Sequence, residues 1–282
     1  MPALLAQGYE ITVLTRDPDK TARHFNYAVT AVEQLAVLQD DNFDVVINLA
    51  GQGITDKRWT PEIKKQLRDS RIITTRKLLN YLQNKNKKPE LLISGSAVGY
   101  YGFSESDELL DETSSADASF SSRLCADWEA EARHAEALAI RTCYLRTGIV
   151  LGKNGGALRK MLPPFKMGLG GPMGSGRQWM SWIHIDDLVA IVLRLINNNE
   201  INGAINATAP NPVTNKAFSS ILGRRLKRPA FLPMPAFILK LMLGEMAVEL
   251  LLSGQRVIPK KMLDAGYEFQ YTELEDALSD LV

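Results

Sequence analysis

The chain has 282 residues, 45% of them hydrophobic and 23% charged, and its 33 basic and 32 acidic side chains leave a net charge of +1. These values exclude a disordered, collagen-like or disulfide-stapled chain, and a near-neutral total provides no global field to hold nucleic acid or an anionic membrane. Cys125 and Cys143, the only two cysteines, suit a reducing cytoplasm and form no metal-ligand pattern; no apolar run reaches the ~20 residues of a membrane span, so a cytoplasmic protein acting on a small molecule is expected.

In chain order, Pro2 to Gln7 reads as the last turns of a helix, with Gly8 as its C-cap, followed by a strand at Ile11–Thr15. This is the second half of a β-α-β unit. Ala28–Val32 is a weaker strand, and Asp44–Gly51 a strong, buried-type strand ending in small residues. Thr60 as cap and Pro61 in the first position start a helix running to about Asn84, with Leu67, Ile72, Leu78, Leu79 and Leu82 as its apolar stripe. A strand at Glu90–Ser94, an Ala- and Glu-rich helix at Phe120–Leu138 and a strand at Ile140–Arg146 continue the alternation. Strands alternating with helices predict an α/β fold, a doubly wound parallel sheet of Rossmann type, with ligands at the carboxyl ends of the strands.

The second half opens with a glycine- and proline-rich stretch around one amphipathic helix, Ala157–Met167. Gly168–Gly176 reads as a turn and hairpin rather than a phosphate cradle, because no strand precedes it and no helix follows directly. Trp179 and Trp182 alternate with polar residues in a strand-like stretch. Asp186 is the expected N-cap of a helix to Asn197, with His184 beside it either as a general base or as a hydrogen-bonded structural residue. Thr214–Leu226 is a further helix with a basic end at Arg224, Arg225, Lys227 and Arg228. From Pro233 the composition turns to Leu, Met and Pro. Short helices are expected around Phe237–Leu243, after Pro259, and at Glu273–Leu281 with Thr272 as cap, and Val248–Leu252 is nearly all aliphatic. The chain thus divides into a main domain, 1–232, with substrate-side segments from about 152, and a small, mostly helical C-terminal domain, 233–282. That domain carries more large aliphatics than ~50 residues need for their own core. It is expected to pack on the main domain or lid the pocket, a dimer surface being the competing explanation.

The strand ends carry the chemistry: Thr15-Arg16, Asn48-Leu49-Ala50-Gly51, Ser94-Gly95-Ser96 and Arg146-Thr147-Gly148. Each is small, polar or both, and four on successive strands predict a ligand crevice.

With Leu14-Thr15-Arg16, NLAG at Asn48–Gly51, DKRWT at Asp56–Thr60, SGSAVGYYG at Ser94–Gly102, LRTGIVLG at Leu145–Gly152 and WIHIDDL at Trp182–Leu188, the chain resembles an epimerase-like branch of the extended short-chain dehydrogenase/reductases. Its members are usually labelled nucleotide-sugar epimerase-like and bear a small C-terminal domain of unknown function. The resemblance covers essentially the whole chain. Members open with a strand and a GGTGFIG-type turn, which these residues lack. The resemblance therefore implies about 15 residues absent at the front, with the first strand missing, so that the pyrophosphate loses its glycine turn and helix N-terminus. The strands at Ile11–Thr15 and Asp44–Leu49 would then face each other across a gap of ~10 Å. Weak or no NADP binding is the expected consequence.

The same resemblance implies site residues. An arginine after the second strand pairs with the 2′-phosphate of NADP, which makes Arg16 the discriminating residue in favour of NADP over NAD. Asn48, Leu49, Ala50, Gly51, Ser94, Arg146, Thr147 and Gly148 are the other expected cofactor contacts. The reductases' Tyr-x-x-x-Lys pair falls on Ser121 and Cys125 when Glu129 is aligned with the family's helix glutamate, and neither can do the usual work. Ser96 is the expected strand-end serine, and Tyr100 and Tyr101 are the alternative phenols. Arg177, Trp179 and His184 are the expected substrate-side residues, Met180 standing where sugar-nucleotide enzymes place an arginine. The readings are an NADP-linked oxidoreductase or epimerase, a non-catalytic dinucleotide-binding sensor or scaffold, and a truncated product without binding activity. All three expect at most a small-molecule ligand, with a homodimer as the candidate assembly and no metal, nucleic acid or membrane.

Overall fold

The computed structural model describes residues 1–102, 107–153 and 155–282. Its first half runs α1 Pro2–Ala6, β1 Thr12–Leu14, α2 Pro18–His24, β2 Thr30–Val32, β3 Val45–Asn48, α3 Pro61–Gln83, β4 Leu91–Ala97, β5 Leu109–Leu110, α4 Phe120–Arg133 and β6 Arg141–Thr147. The second half runs β7 Ile149–Gly152, α5 Gly156–Lys166, β8 Trp179–Met180, β9 Trp182–His184, α6 Ile185–Asn197, β10 Gly203–Ala207, β11 Val213–Thr214 and α7 Asn215–Leu226. It closes with α8 Ala236–Leu243, α9 Glu245–Leu250, β12 Arg256–Val257, α10 Lys260–Asp264 and α11 Leu274–Leu281.

The core sheet is parallel, in the order β10-β6-β4-β3. Its central strands β4 and β6 are buried along nearly their whole length, apolar in the middle and polar toward their carboxyl ends. Leu79 and Leu82 of α3 meet Leu92 on one face, and Ile191 and Leu195 of α6 with Met262 of α10 meet Ile93 and Ile205 on the other. Covering both faces this way is what a parallel sheet requires. The register aligns Asn48 with Ser94, and Ser96, Arg146 and Asn206 with one another. The polar strand ends therefore come out at one level. Helix α3 starts as expected, with the Thr60 hydroxyl accepting from Ile63 N at 3.3 Å.

The front of the chain carries the strand expected at Ile11–Thr15. An N-terminal strand is present: β1 falls within the Ile11–Thr15 run and pairs in parallel with β2. The two form a sheet of their own, not bonded to β3. Burial marks the break. Val45, Val46 and Ile47 of β3 are half-buried, whereas Leu91, Leu92 and Ile93, their register partners on β4, are buried.

Three local expectations change. Gly168–Gly176 forms no hairpin with itself; Met173 bridges Met234, with Gly174 N donating to Met234 O and Met234 N to Pro172 O, both at 2.9 Å. Helix α6 is capped by His184, whose Nδ1 accepts from Asp186 N at 3.2 Å, two residues earlier than the expected cap at Asp186. The cap position of α11 is Glu273, not Thr272.

The last fifty residues contribute to three separate clusters. Leu274, Ala277, Leu278 and Leu281 join Trp182 and Phe218, Met262 joins the sheet face, and Met246 joins Trp59, Leu67 and Leu124. One carboxylate fastens this arrangement. Buried Asp187 on α6 accepts from Gln270 N at 2.8 Å, Tyr271 N at 2.9 Å and the Tyr267 hydroxyl at 3.1 Å. Asp187→Ala is expected to cost about 3 kcal/mol through three lost charge-assisted bonds, read as a lower urea midpoint.

Candidate functional site

The carboxyl end of the core sheet is built on an ion pair. Arg146 and Glu129 are 4% and 3% exposed and meet bidentately, Nε to Oε1 at 2.8 Å and Nη2 to Oε2 at 2.9 Å. Arg146 leaves strand β6 in register with Ser96, and Glu129 faces both from α4. The Ser96 hydroxyl donates to Glu129 Oε1 at 2.6 Å. Arg146 Nη1 donates to the Tyr101 hydroxyl at 3.0 Å, which donates to Asn206 Oδ1 at 2.6 Å. The Tyr100 ring lies 3.4 Å from Arg146 Cζ, close enough for cation–π attraction. Burial opposes the guanidinium charge, but the Glu129 carboxylate more than offsets this and holds Arg146 above its ordinary value. Burial pushes the Tyr101 phenol up to about 12 against the pull of Arg146, so it remains protonated at neutral pH.

Neighbouring strand ends are held differently. The Asn48 side chain donates to Thr75 Oγ1 at 2.9 Å and accepts from Ala50 N at 3.3 Å, which fixes the turn over Leu49–Gly51 and leaves those three residues exposed. A Cβ on Gly51 would lie 3.0 Å from Arg71 Cζ, and one on Gly148 would lie 2.5 Å from Ser181 O. Both turns depend on close approach that a side chain would block. Arg16 stands exposed after β1, outside the core sheet. Its neighbour Asp17 caps α2, accepting from Lys20 N at 3.0 Å.

At the front of α4, Glu249 reaches over from α9. Its carboxylate accepts from Phe120 N at 3.1 Å, Ser121 N at 2.9 Å and the Ser121 hydroxyl at 2.7 Å. A carboxylate there also complements the helix dipole. Cys125, one turn on, is buried, and that burial first, then the Glu129 charge, pushes its thiol up to about 11.

The structure thus gathers Asn48, Ser94, Ser96, Arg146, Thr147 and Gly148 at one end of the sheet. Of these, Asn48, Ser94, Ser96 and Arg146 are buried, the last two in the ion-pair network. Of the three expected catalytic hydroxyls, those of Ser96 and Tyr101 are engaged internally; that of Tyr100 has no hydrogen-bond partner among the described residues. Trp179 is half-buried, its indole N–H donating to Asp107 Oδ1 at 2.9 Å and Arg256 Cζ 4.5 Å over its ring; Arg177 is exposed two residues earlier. His184 lies apart, 1% exposed, with Tyr271 stacked at 3.9 Å and Asp280 Oδ2 3.4 Å from its Nε2. Sequence reasoning missed Glu249 and Arg256. The first carried a signal, a lone carboxylate in the aliphatic run Val248–Leu252.

Comparison with known proteins places these features in context. Residues 1–207 match the NAD dependent epimerase/dehydratase family, and residues 234–281 match a domain of unknown function, DUF1731. The chain is 41% identical over 281 residues to the epimerase family protein YfhF of Bacillus subtilis, covering 99% of this chain and 92% of that protein. It is 42% identical over 282 residues to the chloroplastic SDR39U1 homolog of Arabidopsis thaliana, covering 98% and 80%. The crystal structure of human epimerase family protein SDR39U1 (isoform 2) with NADPH superposes with a TM-score of 0.88 at 34% identity, covering 99% of this chain and 93% of that one.

Two measurements check the site. Cys125 and Cys143 are both buried with thiols pushed up to about 11, so a thiol reagent at neutral pH is expected to find neither in the native protein and both after denaturation. Glu129→Ala strands a buried guanidinium and is expected to cost about 3–5 kcal/mol in denaturant unfolding, the double change Glu129→Leu with Arg146→Met distinctly less.

Proposed function

The chain belongs to the NAD dependent epimerase/dehydratase family, and from that premise we propose that it is an NADP-binding, epimerase- or reductase-like protein whose side chains do not supply the superfamily's tyrosine–lysine proton transfer. The front of α4 carries this reading. Where a phenol would exchange the proton stands Ser121, bonded to Glu249. Where a lysine would hold the nicotinamide ribose stands the buried thiol Cys125. A neutral hydroxyl far above neutral pKa and a protonated thiol move no proton at working pH.

The donor set fits the adenosine end of NADP. With Asp17 committed to its helix cap, Arg16 is the exposed charged group in the turn after β1, and a guanidinium there suits a 2′-phosphate rather than a 2′-hydroxyl. The exposed turn Leu49–Gly51 offers backbone for the ribose to lie against. That the human relative was crystallised with NADPH supports the same cofactor. The nicotinamide, when bound, supplies hydride chemistry; the chain's own groups orient the ligand and hold the crevice rigid through Arg146 and Glu129. The pyrophosphate is less well served, since no Gly-x-Gly-x-x-Gly spacing occurs in the chain. The break between β1 and β3, with its half-buried apolar side chains, is read here as the seat of one further parallel strand whose turn would meet the phosphates. A non-catalytic dinucleotide sensor is the second reading, favoured by the internally bonded Ser96 and Tyr101 hydroxyls.

Calorimetry is expected to show weak NADPH binding and weaker NADH binding, with Arg16→Ala removing a difference of roughly tenfold, the worth of a charge-assisted contact. Tight NADPH binding by the chain, or equal affinity for the two cofactors before the change, contradicts the reading. With a carbonyl panel, NADPH absorbance is expected to stay constant.

A further inference from the structure

The near-zero net charge conceals a strong asymmetry. No aspartate or glutamate occurs between Glu136 and Asp186, nor between Glu200 and Glu245, although both stretches carry lysines and arginines throughout. The structure lays parts of these stretches side by side. Arg228 Nε donates to Lys166 O at 3.1 Å, Gly168 lies against Pro229, and Met173 bridges Met234. Two open depressions share this face. One, of about 360 Å³, is lined by Arg224, Lys227, Arg228 and Phe231; the other, of about 650 Å³, by Lys153, Arg159 and Lys166. Arg224 and Lys153 are paired, with Glu275 and Asp280. Lys166, Lys227, Arg228 and Lys240 have no ion-pair partner among the described residues.

Large apolar side chains stand out from the same segments. Phe231 is 74% exposed, Met167 66% and Leu169 60%. Two residues after Met234, α8 begins; it is apolar but for Lys240, yet Leu239 is its one buried residue, while Phe237 and Leu241 are 71% and 76% exposed. A helix apolar on nearly all sides is normally buried. Side chains this exposed protrude rather than line a groove, so they suit a soft, deformable apolar medium better than a shaped protein cleft. A second copy on a two-fold axis would set the same cations against each other.

We propose that this face, formed by the end of α5, the segment from Lys227 to Met234 and α8, docks on an anionic lipid bilayer surface. The apolar side chains enter the headgroup boundary and the unpaired cations meet lipid phosphates. The contact is peripheral: among the described residues no helix is long and apolar enough to cross a membrane.

Sedimentation of the purified chain with vesicles tests this. It is expected to pellet with equimolar phosphatidylcholine–phosphatidylglycerol vesicles, to stay in solution with pure phosphatidylcholine, and to be released by high salt. Lys227→Glu with Arg228→Glu is expected to weaken partitioning at least tenfold, at roughly fivefold per cation. Phe231→Ser with Leu241→Ser is expected to abolish it. All four positions are exposed, and unchanged circular dichroism would show that the variants fold. Failure to pellet with the anionic vesicles, or pelleting that neither pair alters, overturns the proposal. So does a concentration-dependent dimer in sedimentation equilibrium that the Phe231/Leu241 pair dissolves without any vesicle binding, since the face is then covered by a second copy.

Discussion

Burying a guanidinium and a carboxylate together beneath the carboxyl ends of a parallel sheet costs several kcal/mol per ion in lost hydration. The fold offsets that cost through the bidentate Arg146–Glu129 geometry and through the Ser96, Tyr101 and Tyr100 groups that occupy the remaining hydrogen-bonding and π positions. These contacts join β4, β6 and α4 directly, and Asn206 extends them to β10. The consequence is rigidity at the end of the sheet where ligands of such folds sit. The same saturation removes Ser96 and Tyr101 from easy use as proton carriers. Stability of the crevice and chemical availability of its hydroxyls are in direct competition here.

A second constraint comes from the C-terminal segment. It is not a free-standing unit, since its apolar residues are shared among three clusters of the main body. It also reaches the site. Glu249 accepts from the first two amides of α4, beside the Ser119 cap, and Arg256 lies over Trp179. Tying α4's first turn to a distant helix couples the geometry at Ser121 to the docking of the last fifty residues.

Much of this was legible in the residues. Helix α3 emerged with its cap, its first proline and its buried leucines, because a Thr-Pro start and a period near 3.6 report local backbone preferences that tertiary contacts did not override. The strand ends at Asn48, Ser96 and Arg146 were visible as polar breaks in apolar runs. Short elements escaped notice. Strands β5 and β12 have two residues each and pair across the fold from segments far apart in sequence, which no local pattern encodes. The Gly168–Gly176 loop holds the expected tight turn, Gly176 N donating to Met173 O at 3.0 Å, but not the hairpin, because its pairing partner is Met234, some sixty residues on.

By itself, the sequence determined the alternation of strands and helices, the covered parallel sheet and the polar character of its carboxyl end, since each follows from side-chain periodicity and local turn chemistry. Only the tertiary structure decided which polar residues face one another. Arg146 looked like a group offered to a ligand, and it became the partner of Glu129, because a charge entering the interior must find its counter-charge there. Likewise the total charge of +1 is a sum over the chain, while the field at any surface depends on where folding brings the individual charges.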